Sequence, residues 1–505
     1  MRTIKFCLLV LVLAACGTGK DWPVADYISW EQVYVPVIAG KETPVGRLET
    51  EVNEAAILAA IGLELKAEIE VKEILLYKLS DERRQLLGSF NPSGGHWLFE
   101  KATDLSAGTQ RFEITIVADQ AADIRKKFDM QVAFVDLAGK KVKPAGQDSL
   151  LSYRLAKSIR DKGDNGVHTY RIPGLATSNA GTLLAVYDVR HDKGSDLQGD
   201  IDVGLSRSTN GGQSWEPMKI IMDMGEWAGL PQDQNGIGDP AILVDEETGT
   251  IWVAALWLHG KPNTAAWNSS GPGMSPEETG QLMLVKSEDD GESWSDPVNI
   301  TAQMKDPSWQ LFFNGPGKGI TMKDGTLVFA AQYKDADKMP YSTIIYSKDR
   351  GTTWEVGTGA KSNTTEAQVV ELADGSLMLN MRDNRGGSRS VAVTTDLGRN
   401  WTTHASSRSA LIEPVCMASI INYTDEILLF SNPASTEARE DITLKASPDQ
   451  GNTWPDHMQV LLDQGRSAGY SCLTLIDQDH VGIIYESSQA HLAFQVIAIQ
   501  ELIPE

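Results

Sequence analysis

The chain has 505 residues, enough for more than one domain, and its 41% hydrophobic and 22% charged residues are ordinary for a globular protein. Its formal net charge of −23 disfavours nucleic acid as a partner, because phosphate recognition requires a basic face. The same charge disfavours direct binding to an anionic membrane, and an anionic ligand would need a local cluster of arginines.

The first residues are typical of an export signal. Arg2 and Lys5 precede an apolar run over 6–13, and small residues flank Cys16. The order Leu-Ala-Ala-Cys resembles a bacterial lipobox, which predicts a lipoprotein signal peptide over 1–16 with the lipid on Cys16. An ordinary signal peptide with an incidental cysteine is the alternative.

The apolar run in this leader is too short to span a bilayer, and no later stretch is longer. The predicted lipid is therefore the only expected membrane link. We expect an exported protein, anchored to the cell envelope of a Gram-negative bacterium on its outer-membrane or periplasmic side.

Residues 21–150 are predicted to form a β-sandwich. Alternating polar and apolar residues over 67–77, 110–117 and 130–135 have the period of strands. The apolar segment 55–65 is instead compatible with a helix. The domain could bind carbohydrate or could serve only as a packing domain, and the residues favour neither interpretation.

A short pattern, Ser/Thr-x-Asp-x-Gly-x-x-Trp, recurs through the rest of the chain. The five copies occupy 208–215, 287–294, 347–354, 394–401 and 447–454. One supersecondary unit per copy is typical of a β-propeller. The sequence therefore predicts an all-β fold, in which a six-bladed β-propeller over 151–505 follows the sandwich.

The acidic residues of these Asp boxes are expected to be structural. Asp289 can accept backbone N–H groups within its turn, Gly291 supplies a backbone angle that other residues resist, and Trp294 fills a gap between sheets. Asn210 replaces the aspartate in the first copy and can accept the same bonds. A functional site is expected elsewhere, and the long loops over 192–202 and 259–280 are candidates.

The propeller region opens with Arg171, Ile172 and Pro173. An Arg-Ile-Pro followed by several Asp boxes is similar to the bacterial exo-α-sialidases, or neuraminidases, from about residue 155 to the end. The resemblance implies a retaining glycosidase that removes terminal sialic acid from glycoproteins, glycolipids and oligosaccharides. It implies a tyrosyl-enzyme intermediate and neither cofactor nor metal.

The resemblance also assigns roles to residues of this chain. A triad that binds the substrate carboxylate corresponds to Arg171, Arg382 and Arg439. The nucleophile corresponds to Tyr470, and its glutamate partner to Glu366. Four further positions have implied roles. Asp196 corresponds to the acid/base, and Arg190 to a second arginine of the substrate site. Asp239 corresponds to the residue that binds the N-acetyl amide, and Glu486 to the residue that orients Arg171.

The chemistry explains why such residue types are needed. Sialic acid carries a carboxylate on its anomeric carbon, and a guanidinium donates a planar fork of charge-assisted hydrogen bonds to a carboxylate. A carboxylate nucleophile would be repelled by this substrate. A neutral phenol avoids that repulsion, and a neighbouring glutamate can take its proton.

Several alternatives stay open at this stage. Chemistry alone does not separate Asp196 from its neighbours Asp188, Asp192, Asp200 and Asp202. Glu371 competes with Glu366, but the two positions are an odd number of steps apart along the chain, so on one strand they face opposite sides. Cys416 and Cys472 could form a disulfide or remain buried thiols.

Two other functions are compatible with the fold. A non-catalytic Asp-box propeller could bind glycan or protein, although it would have no use for a tyrosine–glutamate pair. An intramolecular trans-sialidase would share the whole site and release an anhydro sugar instead of free sialic acid.

Overall fold

A computed structural model describes residues 25–80, 83–147, 152–197, 199–259, 261 and 264–503. Within these ranges the structure is almost entirely β, which confirms the predicted fold class. The α-helices described are single turns, α1 (Ala266–Ser269) and α2 (Thr301–Met304). No helix in the described ranges has the length and apolar character needed to cross a membrane. The predicted signal peptide, with Cys16, lies outside the described residues.

Two sheets form the predicted β-sandwich. Their strands are β1 (Ala25–Gln32), β2 (Val37–Ile38), β3 (Glu42–Val52), β4 (Ala56–Ala67), β5 (Val71–Ser80), β6 (Arg83–Ser89), β7 (Asn91–Ser93), β8 (His96–Phe99), β9 (Thr103–Leu105), β10 (Gly108–Ala118), β11 (Lys127–Leu137) and β12 (Lys140–Val142). One sheet has the order β1-β3-β10-β5-β6, and the other contains β11-β4-β8-β7. Alternating residues of both sheets, such as Leu48 and Ile61, are buried in a common core.

The segment 55–65 is not a helix but lies almost wholly in strand β4. This strand pairs with β11 on one side and with β8 and β9 on the other. Leu58, Ile61 and Leu63 are fully buried in the sandwich core. Pairing and burial therefore override the weak local preference of an alanine-rich and leucine-rich segment.

Six sheets form the propeller. The first blade contains β14 (Thr169–Thr177), β15 (Leu183–Arg190), β16 (Ile201–Ser208) and β17 (Lys219–Met222). The second contains β18 (Asn235–Val244), β19 (Ile251–His259), β20 (Gln281–Ser287) and β21 (Val298–Asn299). The third contains β22 (Leu311–Asn314), β25 (Leu327–Lys334), β26 (Pro340–Ser347) and β27 (Glu355–Val356). The short strands β23 (Gly317–Lys318), β24 (Ile320–Thr321) and β28 (Lys361–Ser362) extend the second and third sheets.

The last three blades contain β29 (Thr364–Glu371), β30 (Leu377–Asp383), β31 (Ser390–Thr394), β32 (Thr402–Thr403); β33 (Ser419–Asn422), β34 (Leu428–Pro433), β35 (Ile442–Ser447), β36 (Gln459–Asp463); and β37 (Ser471–Asp477), β38 (His480–Tyr485), β39 (Leu492–Ala498). Strand β13 (Tyr153–Arg160) completes the sixth blade beside β39. The first inner strand, β14, packs against both β18 and β37, so the ring of blades is closed.

Strand β13 also joins the propeller to the sandwich. It pairs with β11 through Tyr153 and Phe128, and with β39 through Lys157 and Phe494. The second sandwich sheet therefore continues into the sixth blade. Phe128, Tyr153 and Phe494 belong to one hydrophobic core. A shared sheet thus bridges the predicted boundary near residue 150, and the division of the chain into 21–150 and 151–505 stays a prediction.

The Asp boxes form turns between the third and fourth strands of their blades. In the second box, Asp289 Oδ1 accepts the N–H of Ser293 at 2.9 Å. Hydrogen bonds from Ser293 lower the pKa of Asp289 to about 2. Asn210 accepts the N–H of Ser214 at 3.0 Å in the first box, so the amide substitutes for the carboxylate.

The body cysteines, Cys416 and Cys472, are buried free thiols. Both lie in apolar surroundings, and burial raises the pKa of the Cys416 thiol to about 12. They do not form a disulfide, so the second of the two alternatives holds.

Candidate active site

A pocket of about 590 Å³ opens among the inner strands of the propeller. It brings together seven residues predicted to act on a substrate: Arg171, Asp196, Asp239, Glu366, Arg382, Arg439 and Tyr470. These side chains come from seven separate strands or loops of the chain, which become neighbours only in the closed ring of blades. The two remaining predicted residues, Arg190 and Glu486, lie behind this lining and contact it.

Tyr470 forms the centre of the pocket. Its phenol donates a short hydrogen bond to Glu366 Oε1, and Arg382 Nη1 donates to the phenol oxygen at 2.9 Å. The same Arg382 nitrogen also contacts Glu366 Oε2. Burial, and then the charge of Glu366, raise the pKa of the Tyr470 phenol well above its usual value. The phenol of Tyr470 is therefore neutral before a substrate binds, and Glu366 already accepts its hydrogen bond.

Glu371 does not compete for this role. Its Oε2 accepts the backbone N–H of Lys323 at 2.8 Å, and the side chain lines a separate cavity at the other end of the inner strands. Glu366 is 8% exposed and meets Tyr470 directly. Of the two glutamates, Glu366 is thus the one that contacts Tyr470, and the odd spacing agrees with only one of them facing it.

Glu486 hydrogen-bonds to both Arg171 and the backbone of Tyr470 and so fixes their relative positions. Its carboxylate accepts from Arg171 Nε at 2.5 Å, from the N–H of Ile172 at 3.0 Å and from the N–H of Tyr470 at 2.9 Å. Burial would lower the pKa of Arg171, but Glu486 outweighs it and raises that pKa above its usual value. Ile172 has a φ of +58°, which is rare for a β-branched residue and is maintained by this carboxylate.

Arg439 is positioned by two backbone carbonyls. Nη1 donates to the carbonyl of Ala468 at 2.9 Å, and Nη2 donates to that of Val415 at 3.2 Å. Its guanidinium carbon lies 5.6 Å from the ring centre of Tyr470, and that of Arg171 lies at 5.4 Å. Two of the predicted triad arginines therefore border the phenol ring, and Arg382 contacts its oxygen.

Asp196 stands at the mouth of the pocket on the loop after β15. Its side chain is 69% exposed and Oδ1 lies 2.6 Å from Arg190 Nη1. Arg190 is fully buried and also donates to Asp188 Oδ2, at 3.1 and 2.8 Å. Arg190 does not line the pocket, so the structure does not support its predicted contact with the substrate. Its position is that of an anchor for the Asp196 loop.

The other aspartates of this segment are engaged elsewhere. Asp188 is fully buried, and its Oδ1 accepts the N–H of Asp239 at 2.8 Å. Asp202 accepts from His191, and Asp200 contacts Gln232. Of the five aspartates between 188 and 202, Asp196 is the one that lines the pocket. Burial, and then Asp188, raise the pKa of Asp239 well above its usual value.

Four polar residues of the pocket were not predicted as site residues: Ser195, Gln332, Thr365 and Asn384. Gln332 is 1% exposed, and among the described residues neither its amide atoms nor Thr365 Oγ1 has a hydrogen-bond partner. A buried polar group without a partner costs about 1–3 kcal/mol, so these atoms are available to bond to a polar group of a ligand or to water. The available signal was a single amide directly after the apolar run 327–331 of strand β25.

The wall opposite the arginines is apolar. It contains Leu256, Leu258, Leu311, Phe313 and Trp267. Trp267 comes from α1, in the long loop predicted over 259–280, and lies edge-on to Phe313 at 6.5 Å between ring centres. The pocket therefore offers a cationic end, an apolar side and a few isolated polar groups, as expected for a small amphipathic ligand.

Among the residues described, one group has the spacing of metal ligands: His191, Asp200 and Asp202. It lies at the base of the Asp196 loop and does not line the pocket. His191 Nε2 is 2.8 Å from Asp202 Oδ2, so these two side chains already satisfy each other. We assign no ion to this group.

Comparison with known proteins agrees with this geometry. Residues 181–483 match the family model described as a BNR repeat-like domain. A sialidase of Bacteroides fragilis is 49% identical over 79% of this chain and 75% of its own length. A sialidase of Micromonospora viridifaciens is 34% identical over 69% of this chain and 54% of its own length.

Solved structures give the same result. The Hadza microbial sialidase Hz136 superposes with a TM-score of 0.88 at 42% identity, over 94% of this chain and all of that one. A sialidase of Trypanosoma rangeli has a TM-score of 0.56 at 20% identity over 71% of this chain and 57% of its own, which shows the fold alone. A chain with this propeller, these Asp boxes and these relatives belongs to the sialidase family.

Proposed function

We propose that the protein is a retaining exo-α-sialidase that acts on the terminal sialic acid of sialylated glycans. The observation that carries this proposal is the Tyr470–Glu366 pair, hydrogen-bonded in a pocket that three arginines border. The relatives described above are named sialidases, which supports the same reaction class. The chain as a whole is strongly acidic, so the three arginines concentrate positive charge at this pocket against the overall negative charge of the protein.

The substrate carboxylate is proposed to bind between Arg171, Arg382 and Arg439. Each arginine is oriented from behind, by Glu486, by Glu366 or by backbone carbonyls. Preoriented guanidiniums lose little side-chain entropy on binding and match a carboxylate with two parallel bonds. This grip fixes the anomeric carbon next to the Tyr470 oxygen.

In the first step the Tyr470 oxygen attacks the anomeric carbon while the bond from that carbon to the leaving oxygen breaks. Glu366 takes the phenol proton, and Asp196 donates a proton to the leaving oxygen. The raised pKa of Tyr470 explains why a base is required, because the phenol does not ionise by itself near neutral pH. The product of this step is a covalent tyrosyl–sialic acid intermediate.

In the second step Asp196, now a carboxylate, takes a proton from water, and the water attacks the anomeric carbon. The bond to Tyr470 breaks, and Glu366 returns the proton to the phenol. Two displacements at one carbon give net retention of configuration. The exposure of Asp196 gives it access to both the leaving group and water.

The test is hydrolysis of a fluorogenic α-sialoside, with a matched galactoside as control and with product analysis by NMR. We expect cleavage of the sialoside alone and initial release of the α-anomer of free sialic acid. Tyr470→Phe should lower kcat by at least about a thousandfold, as loss of a nucleophile does elsewhere, while free sialic acid still binds. Release of the β-anomer first, or an anhydro sugar, would contradict the retaining hydrolase.

We also propose that the protein is exported and anchored by a lipid on Cys16. The support is the leader sequence alone. In a Gram-negative host, the wild-type chain should incorporate labelled palmitate and fractionate with membranes, whereas Cys16→Ser should do neither. Equal incorporation by both chains would rule out this attachment site.

A further inference from the structure

A buried ion pair lies beneath the carboxylate-binding arginines. Arg389 Nη1 is 2.7 Å from Glu413 Oε2, and both side chains are 1% exposed. Neither residue lines the pocket. A pair so far from solvent is weak evidence for stability, because removing two charges from water offsets most of their attraction. Its contacts therefore need another explanation.

The pair fixes the turn that holds Arg439. Arg389 Nη1 also donates to the carbonyl of Cys416 at 2.6 Å. Between Glu413 and Cys416 lies Val415, whose carbonyl accepts Arg439 Nη2 at 3.2 Å. Val415 has a φ of +56°, in the left-handed region that β-branched residues avoid. Such a backbone angle persists only where the surroundings enforce it.

The pair also fixes the strand that carries Arg382. Glu413 Oε1 accepts the backbone N–H of Asp383, the residue after Arg382, at 2.8 Å. Arg389 Nε donates to Asn380 Oδ1 at 2.7 Å, two residues before Arg382 on β30. The two side chains thus hydrogen-bond to β30 on both sides of Arg382, and Arg389 also bonds to the turn that orients Arg439.

We propose that Arg389 and Glu413 are positioning residues that set the spacing between Arg382 and Arg439. The proposal rests on the sialidase function proposed above. Loss of the pair relaxes the Val415 turn, moves the carbonyl that orients Arg439 and separates the two guanidiniums. Since the arginines bind the carboxylate throughout the reaction, the loss should raise KM more than it lowers kcat.

The decisive variant removes both charges together, as Arg389→Met with Glu413→Leu. Apolar replacement of a whole buried pair preserves folding better than removal of one partner, which leaves an unpaired charge. We expect a folded protein with a near-wild-type Tm and a KM raised roughly tenfold or more, because small misplacements at a site have such effects. The dissociation constant of free sialic acid should rise in parallel.

A third substitution tests the role of the strained turn. Val415→Gly, added to the double variant, removes the Cβ that opposes a positive φ, so the turn can keep its shape without the ion pair. We expect KM to fall back toward the wild-type value. A purely structural role for the pair would give no such rescue, because Val415→Gly adds no packing.

The matched control is Arg154→Met, which breaks an ion pair with Glu501 outside the pocket. It should leave KM unchanged. A wild-type KM in the folded double variant would overturn the inference, and so would an equal rise in KM in the control. Inactivity of the wild-type protein on any sialoside would instead refute the proposed function, so the two failures are distinguishable.

Discussion

At the scale of residues, each proposed catalytic group is held by a partner behind it. Glu486 holds Arg171 and the backbone of Tyr470, while Arg190 links the Asp196 loop to Asp188. Preorganised donors cost no rearrangement when charge develops in the transition state. The site should therefore tolerate changes in side-chain chemistry less well than changes in side-chain volume.

Arg382→Lys tests that view. Lysine keeps the charge but loses the planar fork, and its ammonium cannot reach the substrate, Glu366 and Tyr470 together. We expect KM to rise about 10- to 100-fold, the value of one or two charge-assisted hydrogen bonds. Steady-state kinetics on a fluorogenic sialoside measures this, with Arg111→Lys on the exposed side of the sandwich as control. An unchanged KM would remove Arg382 from the carboxylate site.

Asp202 makes a pH-dependent contribution to stability. Burial, partly offset by its hydrogen bond to His191, raises its pKa to about 7. The folded pKa is above the unfolded value, so this contribution is present below about pH 4 and lost as pH rises through 7.

Asp202→Asn should therefore flatten the decline of Tm between about pH 4 and 7. At about 1.36 kcal/mol per pKa unit, the effect on the free energy of unfolding is at most about 4 kcal/mol. Thermal denaturation across this range measures it, with Asp200→Asn compared in parallel. Parallel curves for wild type and Asp202→Asn would show that the carboxyl does not titrate there.

Much of this constellation was accessible from the sequence, because the resemblance to a family, carried by residue types and their order, selected seven side chains that line one pocket. The choice between Asp196 and its neighbours was not, since it depends on which side chains are already paired. Gln332 was missed for the same reason, because an unsatisfied amide is visible only when its surroundings are known.

At the scale of elements, the Asp boxes support the blades rather than the chemistry. Trp354 is 2% exposed, its Nε1 donates to the carbonyl of Gly351 at 3.2 Å, and its ring meets Trp252 edge-on. A side chain at Gly351 would lie 2.4 Å from Trp252, so this glycine is required for close packing. The turn and its tryptophan thus lock the second blade to the third.

Trp354→Ala should destabilise the fold without altering catalysis. Truncation of a buried tryptophan typically costs about 3–5 kcal/mol, which corresponds to a fall in Tm of roughly 3–7 °C in a protein of this size. Calorimetry and kinetics on the folded fraction measure the two effects. Trp401→Ala, at a partly exposed box tryptophan, should cost less. A changed KM in Trp354→Ala would indicate that the box reaches the pocket.

Strand prediction succeeded where alternation was strict and failed where it was weak. The runs over 67–77, 110–117 and 130–135 fall largely in β5, β10 and β11, whose two faces differ in polarity. In 55–65 the apolar residues do not alternate regularly, and register shifts in the pairing of β4 with β11 absorb the irregularity. Such register shifts depend on the partner strand, so the residues of β4 alone do not predict them.

At the scale of the whole molecule, the sandwich and the propeller share structure. Strand β13 lies between β11 and β39, and the first Asp box contacts the sandwich through Gln213, whose Nε2 donates to Asp123 at 2.8 Å. Shared sheets and cores of this kind couple two units energetically. The sequence predicted two units in order but could not show this junction, because it depends on the pairing of β13 with β39, more than 300 positions away.

Deletion of residues 1–152 should therefore impair the propeller. The deletion exposes Tyr153 and Phe494, which are buried in the shared core. We expect a Tm about 10 °C lower or aggregation, and a loss of soluble activity on a small sialoside. A chain that begins at residue 25 is the matched control. A monomeric truncated chain with wild-type kcat/KM would show that the propeller is independent.

The central claim is that Tyr470 carries the sugar covalently. The most direct test treats the enzyme with 2,3-difluoro sialic acid, whose slow turnover traps the intermediate, followed by peptide mass spectrometry. We expect one sialyl adduct per chain, on the peptide that contains Tyr470, and no adduct in Tyr470→Phe. An adduct on Glu366 or Asp196, or undiminished hydrolysis by Tyr470→Phe, would contradict it.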